Sequence, residues 1–161
     1  MEVVPADTND ADALVDLWVE LAEGQRAHGS HLLAAPNRAS IREAVLQHVV
    51  TGGLFVARDP TIVGFVMFGP EVDGYEQDVT RGIVRNLFVA PERRGEGVGT
   101  ALLDAAESSL RELGVDVVSL DVIAANEAAR RFYRRHGYRP QRVELEKRVR
   151  DGESDTDSKE G

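Results

Sequence analysis

Apolar residues recur along the chain at two spacings, one typical of helices and one typical of strands. The helical spacing begins after the N-cap candidates from Asp7 to Asp10 and places Leu14 and Trp18 on one face. Further helices with this spacing are predicted over residues 40–50, 98–113 and 126–136, ended by Gly52, Gly114 and Gly137.

Short runs rich in β-branched residues predict the strands. They cover residues 2–5, 54–58, 62–68, 80–89, 115–123 and 138–149. The turn signal Asp59-Pro60 joins the second and third runs into an antiparallel hairpin. The resulting order, β-α-α-β-β-β-α-β-α-β, predicts an α/β protein of the α+β type, with a central mixed sheet and helices on its faces.

A glycine-rich loop separates the strand over 80–89 from the helix that begins at Val98. Gly95, Gly97 and Gly99 alternate there, directly after Arg93 and Arg94. Such a turn can direct successive backbone N–H groups into one concavity, and the following helix adds its own free N–H groups and the positive end of its dipole. The loop therefore predicts a phosphate or pyrophosphate ligand.

Two familiar phosphate-binding motifs do not fit this loop. A P-loop requires a lysine after its second glycine, and no lysine stands here. The dinucleotide fingerprint G-x-G-x-x-G places its last glycine five residues after the first, whereas Gly99 follows Gly95 by four and Leu102 stands at the last position counted from Gly97. A glycine turn that only caps a helix remains the alternative.

The run from Arg94 to Gly99 resembles the R/Q-x-x-G-x-G/A signature of the GNAT superfamily of acyl-CoA-dependent N-acyltransferases. A second segment, over residues 120–138, resembles the family pattern N-x-x-A-x-x-[FL]-Y-x-x-x-G-[FY]. Its matching positions are Asn126, Ala129, Phe132, Tyr133, Gly137 and Tyr138. The resemblance covers residues 50–147 well and the first 50 residues in general plan. It implies a GNAT-like fold in which two parallel strands splay apart and acyl-CoA lies between them.

The resemblance also implies a binding site for acetyl-CoA as acyl donor, without a metal. The implied cofactor-binding residues are Leu87, Phe88, Val89, Arg94, Gly95, Glu96, Gly97, Val98, Gly99, Thr100, Asn126, Arg130 and Tyr133. The N–H of Leu87 would face the acyl carbonyl and that of Val89 the pantetheine arm; ordinary strand pairing is the alternative. Asn126 is also a candidate for the N-cap of a helix, and Arg130 can also be a solvated helix residue. The Glu96 side chain is expected to point to solvent.

Two residues carry the implied chemistry, Tyr133 as general acid and Leu87 as backbone donor to the carbonyl oxygen. A tyrosine with its ordinary pKa of about 10 is protonated at neutral pH and can donate to the departing thiolate. A core aromatic is the alternative for Tyr133. Many members of the family carry Glu or Asp near the position of Asn86. This chain has an asparagine there, and an asparagine cannot act as a base. Other base candidates, each also explicable as structural or solvated, are Glu71, Asp73, Glu76, Asp121, His28 and His31.

The predicted reaction is transfer of an acetyl group from acetyl-CoA to a primary amine of a small molecule, directly in a ternary complex. An acidic loop over residues 69–78 favours a cationic amine. Acetylation of protein N-termini or lysines, and a non-catalytic acyl-CoA-binding module, are the alternatives.

Composition narrows the classes of partner. The chain has 161 residues, no cysteine and a net charge of -9, from 28 acidic and 19 basic residues. The charge disfavours nucleic acid, and no apolar run approaches the ~18 residues of a membrane span. With no recognisable signal peptide, we expect a cytoplasmic protein, and a homodimer is compatible with the sequence. Residues 1–150 are expected to form a single domain and 151–161 an acidic disordered tail.

Nearly all of the positive charge is arginine, since Lys147 and Lys159 are the only lysines. Two explanations fit this composition. The first is a halophilic cytoplasm, in which a carboxylate-rich surface keeps a protein soluble; acids scattered over every predicted helix favour it. The second is an arginine-rich coding bias combined with an acidic tail.

Halophilic adaptation predicts that folding depends on salt. At 1 M salt the Debye length falls to about 3 Å, so repulsion between surface carboxylates is largely screened. We therefore expect the Tm to rise between low and molar KCl in thermal denaturation. A Tm that stays constant over this range would exclude the halophilic explanation.

Overall fold

The structure is a computed structural model that describes residues 1–72 and 75–151. The predicted disordered tail lies outside the described residues except for Asp151. The chain divides into two compact units, the first from Met1 to Glu127 and the second beginning at Ala128. A single domain over residues 1–150 therefore stays a prediction.

The first unit is built on a five-stranded mixed sheet, and this confirms the predicted mixed α/β class. Its strands are β1 (Glu2–Pro5), β2 (Leu54–Arg58), β3 (Ile62–Pro70), β4 (Arg81–Val89) and β5 (Val117–Ser119). They are ordered in the sheet as in the chain. The first four are antiparallel to their neighbours, and β5 joins β4 in parallel.

The helices are α1 (Ala11–Arg26), α2 (Arg38–Thr51), α3 (Val98–Glu112) and α4 (Glu127–Arg135). Leu14 and Trp18 of α1, together with Val45 of α2, are buried in one cluster with Phe65 and Phe88 of the sheet. The apolar spacing read from the sequence is therefore the face that α1 turns to the core. Among the described residues, no helix combines the length and apolarity needed to span a bilayer.

The helix α3 covers the opposite face of the sheet. A Cβ built on Gly64 would come within 2.7 Å of the Phe88 carbonyl oxygen and 3.1 Å of Leu102. Since neighbouring residues of a strand point to opposite faces, Gly64 faces α3 while Phe65 faces α1. The missing side chain at 64 lets the first turns of α3 approach β3 closely, which fixes the position of the helix N terminus.

Two predicted strands require correction. The strand expected over 115–123 is formed only over Val117–Ser119, and the structure assigns no strand to residues 138–151. The alternation over 138–149 leaves Val143, Leu145 and Val149 exposed, at 75%, 88% and 89% of their surface. An alternating pattern forms a strand only with a hydrogen-bonding partner and a face to bury, and Pro140 removes one backbone donor from the run.

Asp10 connects the start of α1 to the sheet. Its carboxylate accepts hydrogen bonds from the Asp7 N–H at 2.9 Å and from Arg58 Nη2 of β2 at 2.6 Å. Burial by itself would raise the pKa of Asp10, but these hydrogen bonds outweigh it, and the pKa lies below its ordinary value. The ionised form of Asp10 is thus stabilised in the folded protein.

Asp10→Asn keeps the size of the side chain and removes the ion pair. We expect it to lower the free energy of unfolding by about 1–2 kcal/mol at pH 7, measured by denaturant unfolding. Because the folded pKa is lowered, the loss should be complete above the unfolded pKa of about 4 and should shrink as pH falls through the folded pKa. Asp12→Asn, which removes an exposed pair with Arg42, is the control and should change stability little. A loss that is the same at pH 7 and pH 2 would contradict the ion pair as its cause.

Candidate active site

An extra residue in β4 interrupts its pairing with β3. Met67 lies opposite Asn86, but the next residue of β3, Phe68, lies opposite Val84. Arg85 therefore has no partner across the ladder and forms a β-bulge, with its side chain exposed.

The bulge reverses which edge of β4 each backbone group faces. Beyond the bulge, the Ala90 N–H donates to the Val63 carbonyl at 2.8 Å, so by alternation the N–H of Phe88 also faces β3. The N–H groups of Leu87 and Val89 consequently face the other edge of the strand. Without the extra residue, this alternation would be inverted.

That other edge is open over the second half of β4. In the described residues β5 pairs only with Arg81, Gly82 and Ile83, and the ladder ends at Ser119. The two strands are parallel, as predicted, and beyond Ile83 no strand covers the edge of β4 within the part of the chain described. The backbone donors of Leu87 and Val89 thus lie on an edge of β4 that no strand of the described residues covers; that these donors bind an acyl group and a pantetheine arm stays a proposal.

The glycine loop leads directly into α3. Gly95 and Gly97 have φ of 82° and 87°, conformations that a residue with a side chain rarely adopts. Gly97 is the N-cap of α3 and provides no side-chain cap to the helix. A Cβ built on either glycine meets no heavy atom within 4 Å, so the space in front of the loop is open. Open space beside the backbone N–H groups of a helix N terminus fits a phosphate group.

Arg94 is oriented by the strand that leads to the loop. Its Nε donates to the Val89 carbonyl oxygen at 2.9 Å, and its guanidinium carbon lies 5.5 Å from the centre of the Phe88 ring. No carboxylate of the described residues pairs with it. The terminal nitrogens of Arg94 therefore carry a positive charge that no carboxylate of the described residues neutralises.

Arg93 has a role that the sequence motif did not reveal. Its Nε donates to Glu96 at 2.8 Å and its Nη2 to the Asp59 carboxylate at 2.8 Å. The Glu96 side chain is half exposed, as expected, but it is also ion-paired. Asp59 lies 34 residues away in the β2–β3 turn, and no local spacing indicates that it approaches the loop.

Tyr133 lies within an aromatic cluster of the second unit. Its ring centre is 5.2 Å from that of Phe132 and 5.8 Å from that of Tyr138, both in edge-on geometry. Burial raises the pKa of Tyr133 to about 12. The hydroxyl therefore keeps its proton at any pH near neutrality. Arg130 lies on the same helix, and Asn126, in the first unit, directly precedes α4.

The base candidates differ in their surroundings. Glu71 accepts a hydrogen bond from Gln77 at 2.9 Å and lies 3.6 Å from Arg81, which gives it a structural environment. His28 is half-buried, and Asp73 lies outside the described residues. The exposed candidates are Glu76, Asp121 and His31. No group of His, Cys, Asp and Glu among the described residues could hold a metal ion.

Comparison with known proteins identifies the family of the chain. Residues 13–138 match the model of the acetyltransferase (GNAT) family. The chain is 30% identical over 136 residues to an uncharacterized N-acetyltransferase of Archaeoglobus fulgidus, which covers 83% of this chain and 89% of that protein.

Two further similarities involve a longer enzyme and a solved structure. The chain is 46% identical over 88 residues to mycothiol acetyltransferase of Propionibacterium freudenreichii, a match to 53% of this chain but 27% of that enzyme. The chain therefore matches much less than half of that relative's length. A mutant of the BH1408 protein of Bacillus halodurans superposes with a TM-score of 0.80 at 20% identity, over 92% of this chain and 99% of that chain. This likeness concerns the fold.

Gly97→Val tests the loop, and Gly114→Val is a control with the same backbone strain. Their φ values are 87° and 88°, and a Cβ at either position meets no heavy atom within 4 Å. Only the valine at 97 places a side chain at the N terminus of α3. We expect CoA to raise the Tm of the wild type and of Gly114→Val but not that of Gly97→Val. Stabilisation of the wild type by NAD or ATP and not by CoA esters would show that the loop binds another ligand.

Proposed function

Because the chain belongs to the acetyltransferase (GNAT) family, a class of acyl-CoA-dependent N-acyltransferases, we propose that it transfers an acetyl group from acetyl-CoA to a primary amine of a small molecule. The transfer takes place directly, in a ternary complex. The observation that supports this best is the open edge of β4, which is followed by a short 3-10 turn over Pro91–Arg93, the glycine loop and the N terminus of α3.

The shapes and charges of this region suit an acyl-CoA. The pyrophosphate would lie in front of Gly95 and Gly97, where backbone N–H groups and the helix dipole favour negative charge. Arg94 would add a guanidinium that is already held by the Val89 carbonyl. The pantetheine arm would then follow the open edge of β4 as an additional strand does, accepting from the Val89 N–H.

Leu87 has the geometry of a backbone donor to the acyl carbonyl. Acetyl-CoA supplies a thioester, which the amine of the acceptor attacks. The Leu87 N–H donates to the carbonyl oxygen as negative charge develops on that oxygen. Because the strand fixes the Leu87 backbone, this donor needs no reorganisation during the reaction. The ladder between β3 and β4 holds this donor through the pairs on either side of it.

Tyr133 supplies the proton for the leaving thiolate. When the carbon–sulfur bond breaks, the electron pair remains on sulfur, and the phenol O–H donates its proton there. The raised pKa keeps this donor protonated across the pH range of an assay. The amine loses a proton on forming the amide, to solvent or a substrate group, so protons balance once Tyr133 is reprotonated.

The relative named mycothiol acetyltransferase supports a small-molecule acceptor, because its name refers to a small molecule and not to a protein. The choice can be tested by incubating the protein with acetyl-CoA and a panel of amines and following release of free thiol. Polyamines, aminoglycosides and amino sugars are compared with peptides that carry free N-termini or lysines. Turnover with peptides alone would contradict the small-molecule proposal, and binding of acetyl-CoA without any turnover would favour a non-catalytic module.

Tyr133→Phe removes the proposed acid and keeps the ring that packs against Phe132 and Tyr138. We expect kcat to fall by about 10²–10⁴-fold, the usual contribution of a positioned acid. The Kd for acetyl-CoA should change little, because the proton matters only once charge develops on sulfur. Steady-state kinetics and calorimetric titration measure the two quantities.

Tyr138→Phe is the matched control, since it removes a hydroxyl from the same cluster. Its kcat should stay near that of the wild type. The wild-type pH–rate profile should show no loss of activity from ionisation of Tyr133 below about pH 11, given the raised pKa. Full activity of Tyr133→Phe, under conditions where chemistry limits the rate, would exclude Tyr133 as the acid.

A further inference from the structure

The two adjacent arginines of the glycine loop have different surroundings. Arg94 has no carboxylate partner among the described residues, whereas Arg93 bridges Glu96 of the loop and Asp59 of the β2–β3 turn. The Arg93 side chain is 24% exposed, against 43% for Asp59 and 50% for Glu96. The guanidinium is therefore the inner member of the network.

The network joins two segments that lie just beyond the β3–β4 ladder, the β2–β3 turn and the glycine loop. Besides the two charged hydrogen bonds at 2.8 Å, Nη1 of Arg93 donates to the Asp59 carbonyl at 3.4 Å. The beginning of the loop is fixed separately, because the Ala90 N–H donates to Val63 of β3. Without Arg93, the part of the loop between Ala90 and α3 would lose its link to the β2–β3 turn.

Glu96 makes this link important for binding an anion. It lies between Gly95 and Gly97, whose positive φ angles shape the loop at the start of α3 and beside which the space is open. A carboxylate there repels a pyrophosphate unless a cation neutralises it or holds it elsewhere. Arg93 does both, because it pairs with the Glu96 carboxylate and is itself bound to the turn.

We propose that Arg93 is a positioning residue for acyl-CoA, which acts through Glu96 and does not itself bind the phosphates. It restrains the Glu96 carboxylate against the β2–β3 turn, and Arg94 is left as the arginine that meets the pyrophosphate. This inference rests on the proposed function, since it concerns the binding of the acyl donor at the same loop.

A double-mutant cycle on the full chain distinguishes this role from direct contact with phosphate. The probe is CoA, titrated calorimetrically against the wild type, Arg93→Gln, Glu96→Gln and the double variant. We expect Arg93→Gln to raise the Kd about tenfold, the scale of one unneutralised charge near a doubly charged group at an exposed site. Glu96→Gln alone should bind CoA more tightly than the wild type, but by a clearly smaller factor than the tenfold that it recovers in the Arg93→Gln background, because Arg93 already neutralises this carboxylate. The double variant should return to within about threefold of the wild type, because the repelling carboxylate is gone.

Arg42→Gln is the control, because Arg42 also pairs with an aspartate but lies on α2. Its CoA affinity should be unchanged. If Arg93→Gln is too unstable to titrate, Arg93→Lys keeps the charge without the bidentate reach, and its smaller loss of affinity should also be recovered by Glu96→Gln.

Two results separate the possible failures. If the wild type binds CoA but the double variant stays as weak as Arg93→Gln, Arg93 contacts the phosphates directly and the positioning role is wrong. If the wild type does not bind CoA, the proposed function fails and the positioning role fails with it. The Tm of each variant without CoA shows whether a loss of affinity reflects unfolding.

Discussion

The candidate site depends on one extra residue in β4. Backbone donors alternate along a strand with a period of two, so an inserted residue reverses the direction of every donor beyond it. Arg85 is that residue, and because of it Leu87 and Val89 direct their N–H groups away from β3. The early end of β5 at Ser119 leaves these groups without a strand partner in the described part of the chain. Both conditions are needed, since a bulge beside a fully paired strand would expose nothing.

The charges beside the glycine loop differ from the charge of the chain as a whole. The chain as a whole has a net charge of -9, which opposes the binding of a polyanion. Local features therefore have to favour phosphate: the N terminus of α3, the open space beside Gly95 and Gly97, and Arg94 held against Val89. Arg93 offsets the charge of Glu96, the acid between the loop glycines, by pairing with it. Arg93 is thus paired with carboxylates, whereas its neighbour Arg94 has no carboxylate partner among the described residues.

Much of the fold and of the candidate site could be predicted from the sequence. The features that could not be predicted all depend on contacts between distant parts of the chain. The turn at Asp59 predicts the end of β2, and the glycines before Val98 predict the beginning of α3; both signals are local in the sequence. The family followed from two motifs whose spacing is local as well. The bulge, by contrast, is a property of the register between two strands, and the pair of Arg93 with Asp59 joins residues 34 positions apart. The predicted strand over 138–149 failed for the same reason, because an alternating pattern does not specify a pairing partner.

We propose that the bulge in β4 presents the backbone of Leu87 and Val89 to an acyl-CoA. Amide hydrogen exchange, resolved by residue with NMR, measures this directly with and without acetyl-CoA. We predict that the amides of Leu87 and Val89 exchange quickly in the free protein and become protected when acetyl-CoA binds. The amide of Phe88, which faces β3, should be protected in both states. Equal protection of Leu87, Phe88 and Val89 in the free protein, unchanged by acetyl-CoA, would contradict the account.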